Sequence, residues 1–224
     1  MRKIFPLIML FIVVVSLTPV SAAISPTVRC PVPPKSQGNV NHIFFSFYKK
    51  SANIKSYIPK NLVLLDGKYT NDRARCLTEQ TYAAFVAMND ALYKESNQNL
   101  VILSAWRSTA TQQYFAKARG EFAAPAGRSE HQLGVAIDVN MVGSKEEDRF
   151  GDSVAYAWMK ERAAEYGFVQ SFTAEDAEVT GVPAEPWHWR FVGKTIATRV
   201  VTEKRNISEF LYERMEAKKK GLSY

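Results

Sequence analysis

The stretch Ser129-Glu130-His131-Gln132-Leu133-Gly134-Val135-Ala136-Ile137-Asp138 decides how this chain folds around its chemistry. Val135, Ile137 and Val139 alternate with other residues, the period of a β-strand, so a strand is predicted over 134–140. His131 and Asp138 stand seven apart. On one unbroken strand an odd offset sends two side chains to opposite faces. On a helix an offset of seven would align them, but the β-branched alternation argues against a helix. Gly134 offers the way out, because glycine adopts backbone conformations closed to other residues. His131 is then expected in a turn and Asp138 on the strand that follows.

A second motif, Glu185-Pro186-Trp187-His188-Trp189-Arg190, supplies a partner. Two histidines and one carboxylate make a three-ligand set with a fourth position open for water, the pattern of catalytic zinc. Zn2+ is therefore the expected cofactor, held by His131, Asp138 and His188. Glu185, three residues before His188, suits the base that a hydrolytic site needs to take a proton from water and return it to a leaving amine. Taken singly, a histidine among aromatics is more often a packed core residue, and an aspartate on a strand is more often a turn or capping group. The two motifs together are harder to explain as packing. The third histidine, His42, has no such company and reads as structural.

Outward from these motifs the chain alternates helix and strand. Phe85, Met88, Ala91 and Leu92 recur at helical spacing within a helix predicted over 78–96. A buried strand follows over 100–103. A second helix runs over 108–119, with Ser108 or Thr109 as its cap. A third, over 153–166, stops at Gly167, a natural residue to follow a helix. Strands are expected over 168–172 and 187–192. The tail is helical, with Asn206 and Glu209 placed as a cap pair. Residues 56–76 read as irregular. The mixture implies an α+β domain in which helices pack on a small antiparallel sheet.

The ends of the chain bear on its location. Arg2 and Lys3 precede an apolar run over 7–15, and Val20-Ser21-Ala22 follows with small residues. This is the pattern of a secretory signal, removed near 23. The apolar run is short for a membrane span, which takes about 20 residues. The organisation expected is a signal peptide over 1–23, an N-terminal arm over 24–56 and a catalytic domain over 57–224. The destination is periplasmic, extracellular or wall-associated, with no stable membrane span after removal of the signal. Cys30 and Cys76 are the only two cysteines, and in an oxidising compartment they are expected to pair. Loss of Arg2 and Lys3 lowers the formal charge from +7 to +5, a modest excess that suits work near anionic wall polymers. Lys218-Lys219-Lys220 closes the last helix, where positive charge suits the dipole, and marks no nucleic-acid surface.

The ordered set Ser-x-His-x-x-Gly-x-Ala-x-Asp and Glu-x-x-His resembles the zinc D-alanyl-D-alanine carboxypeptidases of the VanY type. These share a group with lysostaphin-like peptidases and the hedgehog signalling domain. The resemblance covers roughly 57–212 and includes Ala105-Trp106-Arg107-Ser108, Gln113, Tyr166-Gly167-Phe168 and Arg190-Phe191-Val192-Gly193. It implies a hedgehog-like zinc peptidase fold and hydrolysis of the terminal D-Ala-D-Ala bond of peptidoglycan stem peptides. L,D-carboxypeptidase or endopeptidase action would use the same metal site. A non-enzymatic wall-binding module is the alternative of another class, and Glu185 weighs against it. The resemblance further implies that Arg107 faces a substrate carboxylate or a developing oxyanion, and that Ser129 and Gln113 line the substrate pocket. Trp187 and Trp189 flank His188, and packing around the metal is expected for at least one of them.

Overall fold

The computed structural model describes residues 29–35, 54, 56–71, 75–120, 123–144 and 147–222. The signal segment, His42 and most of the arm lie outside the described residues.

Two sheets organise the chain. β1 (Leu62–Leu64) pairs antiparallel with β2 (Cys76–Thr78), with Leu62 opposite Thr78. α1 (Glu79–Ser96) follows at once, its start capped by the Thr78 hydroxyl, which accepts from the Thr81 N–H. β3 (Leu100–Ser104) opens the main sheet, and α2 (Thr109–Arg119) starts at the Ser108 cap. β4 (Ala136–Met141), α3 (Val154–Arg162), β5 (Phe168–Gln170), the short α4 (Ala177–Thr180) and β6 (His188–Phe191) follow. α5 (Lys194–Thr202) and α6 (Ile207–Lys219) close the chain. The main sheet has the order β3-β4-β6-β5, antiparallel throughout.

The helical spacing in α1 has its consequence in the core. Phe85, Met88 and Leu92 are fully buried against Leu100 and Ile102 of β3, Ile137 and Val139 of β4, and Met159 of α3. Truncation of such a residue costs about 3–5 kcal/mol. The Asn89 carboxamide, buried in the same helix, accepts from the Leu100 N–H at 2.7 Å and ties α1 to the edge of the sheet. A second cluster forms beyond β5 and β6, where Ile196, Ala197 and Val200 of α5 meet Ile207, Phe210 and Leu211 of α6.

Several elements differ from the sequence expectations. The segment read as irregular contains the β1–β2 ribbon, whose three-residue strands are too short to carry a visible alternation. The helix expected over 153–166 is α3 followed by a 3-10 turn, Ala163–Tyr166, before Gly167 at φ 88°. The strand expected to reach 172 ends at Gln170, because Ser171 turns inward to a buried carboxylate. Ile54 is buried against Leu133 and Val135, and its N–H donates to the Gly127 carbonyl, so contacts with the body reach back before 57. Cys30 and Cys76 form a disulfide, with Cα atoms 5.9 Å apart, which fastens the start of the described chain to β2.

Candidate metal centre

Gly134 resolves the odd offset as its chemistry requires. Residues Glu130–Leu133 form a 3-10 turn that ends on Gly134 at φ 69°. A Cβ there would meet Leu62 Cδ2 at 3.0 Å and Thr78 Cγ2 at 3.2 Å, so both conformation and space call for glycine. The chain leaves the turn directly into β4. His131 is thereby set beside the strand, and Asp138 sits opposite His188 in the antiparallel register of β4 and β6.

The donor atoms converge. Asp138 Oδ1 lies 3.2 Å from His131 Nε2 and 2.9 Å from His188 Nδ1. The three residues form a group whose ligand atoms all lie within 4.8 Å of one another. Two ligands of a tetrahedral zinc, each at about 2.05 Å, stand about 3.3 Å apart. The two distances from Asp138 are close to that edge.

The remaining ring nitrogens are also accounted for. His131 Nδ1 lies 2.8 Å from the Ala105 carbonyl, to which it can only donate, so Nε2 carries the lone pair. His188 Nε2 lies 2.9 Å from Glu130 Oε2 and donates to that carboxylate, which turns Nδ1 toward Asp138. Each ligand nitrogen is thus aimed by an acceptor on the far side of its ring.

Electrostatics sharpen the picture. Burial disfavours the charge on His131, Arg107 adds to this, and the pKa falls to about 4 despite Asp138. Burial also opposes charge on His188. The hydrogen bonds to Asp138 and Glu130 outweigh it and raise the pKa to about 10. Asp138 is pushed up by burial but held well below the ordinary carboxylate range by His131, His188 and Arg107. In the metal-free chain the cluster therefore holds a proton on His188 and an ionised Asp138.

Glu130 has a role that sequence reasoning missed. It is 2% exposed and accepts three hydrogen bonds: from Arg190 Nη1 at 2.6 Å, Ser171 Oγ at 2.7 Å and His188 Nε2. Burial would raise its pKa, yet Arg190 and His188 keep it far below the usual value. The only signal in the sequence was its place beside His131.

Arg107 borders the donors. Its Nη2 donates to Asp138 Oδ2 at 2.7 Å and lies 3.1 Å from His131 Nε2. Ser104 and Gln112 hold the other edge of the guanidinium, at 2.9 and 3.2 Å. Glu185 Oε2 stands 3.7 Å from His188 Nδ1, beyond hydrogen-bond reach. Burial raises the Glu185 pKa, against the opposing pull of His188.

A cavity of about 250 Å³ opens on this cluster, and Ser129, Glu185 and Trp187 line it. Trp189 does not line it and belongs to the core, 3% exposed, with its indole N–H donating to the Pro186 carbonyl. Gln113 is exposed on α2 and does not line the cavity. Its neighbour Gln112 does, almost fully buried, donating to the Ala124 carbonyl at 2.7 Å. Gln112 is the residue of α2 that packs inward, and Gln113, one position on, points away from the body.

The family described as "VanY: D-alanyl-D-alanine carboxypeptidase" matches residues 74–194. A D-alanyl-D-alanine carboxypeptidase of Enterococcus faecalis (strain ATCC 700802 / V583) is 39% identical over 97 residues, which is 43% of this chain and 35% of that protein. The chain thus spans about a third to a half of the length of the first curated relatives it matches. Among solved structures, VanYB in complex with D-alanine-D-alanine has 25% identity and a TM-score of 0.61, covering 75% of this chain and 96% of that one. A vancomycin-resistance D,D-pentapeptidase VanY in complex with Zn(II) has 25% identity and a TM-score of 0.62, covering 76% and 99%.

Proposed function

This chain belongs to the VanY D-alanyl-D-alanine carboxypeptidase family, and from that premise we propose that it removes the terminal D-alanine from peptidoglycan stem peptides as a zinc peptidase. One observation carries the reading. Two ring nitrogens, each aimed by an acceptor on the far side of its ring, and the Asp138 carboxylate converge beside the half-buried carboxylate of Glu185, which bonds to none of them, and all line one cavity.

His131 Nε2, Asp138 and His188 Nδ1 would hold the metal, and their donor set of two nitrogens and one oxygen suits zinc. Zinc, when bound, polarises a carbonyl and lowers the pKa of water toward about 7. Glu185 takes the proton of the attacking water. Its raised pKa brings it nearer to neutrality, where one carboxyl can both accept and release a proton. It then passes that proton to the departing amine of D-alanine. Arg107, held as a planar fork by Ser104 and Gln112, donates to negative charge on the substrate as the peptide bond opens. Ser129 and Gln112 bound the side of the cavity that receives the terminal residue.

Export belongs to the same proposal. The N-terminal pattern of charge, apolar run and small residues supports it, as does the Cys30–Cys76 pair, which persists outside the reducing cytosol. Among the described residues no helix is long and apolar enough to cross a membrane.

The test is incubation of the purified protein with a D-Ala-D-Ala pentapeptide stem, with and without a chelator. The expected products are D-alanine and the tetrapeptide, with loss of activity on chelation and recovery on addition of zinc. Cleavage at another bond of the stem, or cleavage that survives complete metal removal, contradicts the reading.

A further inference from the structure

A second, larger cavity of about 780 Å³ adjoins the one described above. The two share Arg107, Phe115, Arg119, Asp138 and Trp187, so they meet at Asp138 and Arg107, while His131 and His188 line the smaller one. Glu185 lines only the smaller. The group that protonates the leaving amine must lie on the leaving-group side, so the smaller cavity takes the terminal residue. The rest of the peptide then has to leave through the larger one, whose size suits a ligand of several residues.

The walls of this larger groove are charged in one sense. Arg29, Arg75, Arg107 and Arg119 line it, and among the described residues that line it the one acid is Asp138, which already serves Arg107 and the histidines. Aromatic faces alternate with the cations. Tyr114 is 71% exposed, and Phe115 lies under both Arg107 and Arg119, at 4.7 and 5.5 Å from its centroid. One wall comes from outside the catalytic body. Arg29 and Pro31 flank Cys30, and the disulfide to Cys76 pins them beside the groove.

We infer that this groove is a binding site for the acyl-side portion of the substrate, and that it selects an extended peptide bearing carboxylates on residues upstream of the scissile bond, with the disulfide-tethered Arg29 as a specificity-determining residue. The inference rests on the hydrolytic reading above, because that reading sets the direction of the peptide. The groove's charge makes the ligand anionic, and the aromatic side chains of Tyr114 and Phe115 offer apolar cover to the aliphatic side chains of an extended peptide. Arg29 is exposed and lies outside the catalytic machinery, so its loss should leave bond cleavage itself alone.

The experiment compares two pentapeptides ending in D-Ala-D-Ala, one with free carboxylates on residues two and three and one with both amidated. Wild type is expected to show a lower KM for the carboxylated peptide. In the Arg29→Gln/Arg75→Gln variant that advantage should shrink about three- to tenfold, the effect of losing two solvent-facing ion pairs. KM for the amidated peptide should change less than KM for the carboxylated one, so the ratio of the two is the readout. Equal KM for the two peptides in wild type, or an advantage that survives in the variant, overturns the groove while leaving the hydrolytic reading intact. If wild type cleaves neither peptide, the hydrolytic reading fails. The groove is then judged by calorimetric binding of the carboxylated tripeptide alone. Binding that weakens in the variant supports it, and no binding in wild type overturns it.

Discussion

Glu130→Gln is the substitution whose outcome the structure fixes most tightly. The carboxylate is buried and serves three donors at 2.6, 2.7 and 2.9 Å. Glutamine keeps the shape but brings one oxygen and an NH2 group that cannot accept. Arg190, itself fully buried, loses the anion nearest to it. Removal of one partner from a buried pair costs about 3–5 kcal/mol, and the retained amide oxygen places the loss at about 3 kcal/mol. For a chain of this size that is a fall in Tm of about 6–12 °C, to be read by calorimetry on the metal-free protein. The second effect is on His188. With only a neutral oxygen to share among three donors, its ring is less firmly aimed, and zinc affinity should fall about 10- to 100-fold. A competitive chelator titration reads this without reference to activity. Tm and zinc affinity both equal to wild type would contradict this role for Glu130. A fall in Tm with unchanged zinc affinity would make Glu130 a structural anchor for Arg190 alone.

Four further outcomes are expected. Glu185→Gln should retain zinc yet lose about 10²–10⁴-fold in turnover, because glutamine cannot take a proton; loss of the metal would instead make Glu185 a ligand. Zinc binding near pH 7 should release about one proton, from His188, which is charged up to about pH 10 in the metal-free chain, while His131, neutral above about pH 4, releases none; calorimetry in buffers of different ionisation enthalpy measures this, and a release near zero contradicts the assignment. Since Glu130 and Asp138 are depressed in the folded chain, the stability they lend is present above about pH 4 and drains away as pH falls further, so acid titration of the metal-free protein followed by circular dichroism should show unfolding begin there; a fold stable to pH 2 is the contrary result. Reduction of Cys30–Cys76, which closes a loop of 46 residues, should lower stability by up to about 4 kcal/mol in denaturant titrations, and an unchanged midpoint would show that the arm adds nothing.

Much of this was legible in the residues, for physical reasons that can be named. The long helix α1 announces itself because eighteen residues give its apolar stripe room to repeat. Gly134 could be singled out because only a break of period reconciles His131 with Asp138. The β1–β2 ribbon could not, since three residues per strand show no period, and Leu64 faces solvent. The resemblance points to Gln113, but the face that α2 turns to the body carries Gln112 and leaves Gln113 exposed. Glu130 was passed over because its partners Ser171 and Arg190 are 41 and 60 residues away, and a buried network of that span leaves no local mark.

The most direct measurement of the central claim takes wild type and His188→Ala from parallel preparations and determines zinc content and D-alanine release from a pentapeptide stem on the same samples. One zinc per chain and steady release in wild type, with both lost in the variant, is the predicted result. A variant that keeps its zinc, or a wild type that binds zinc and releases no D-alanine, contradicts the account.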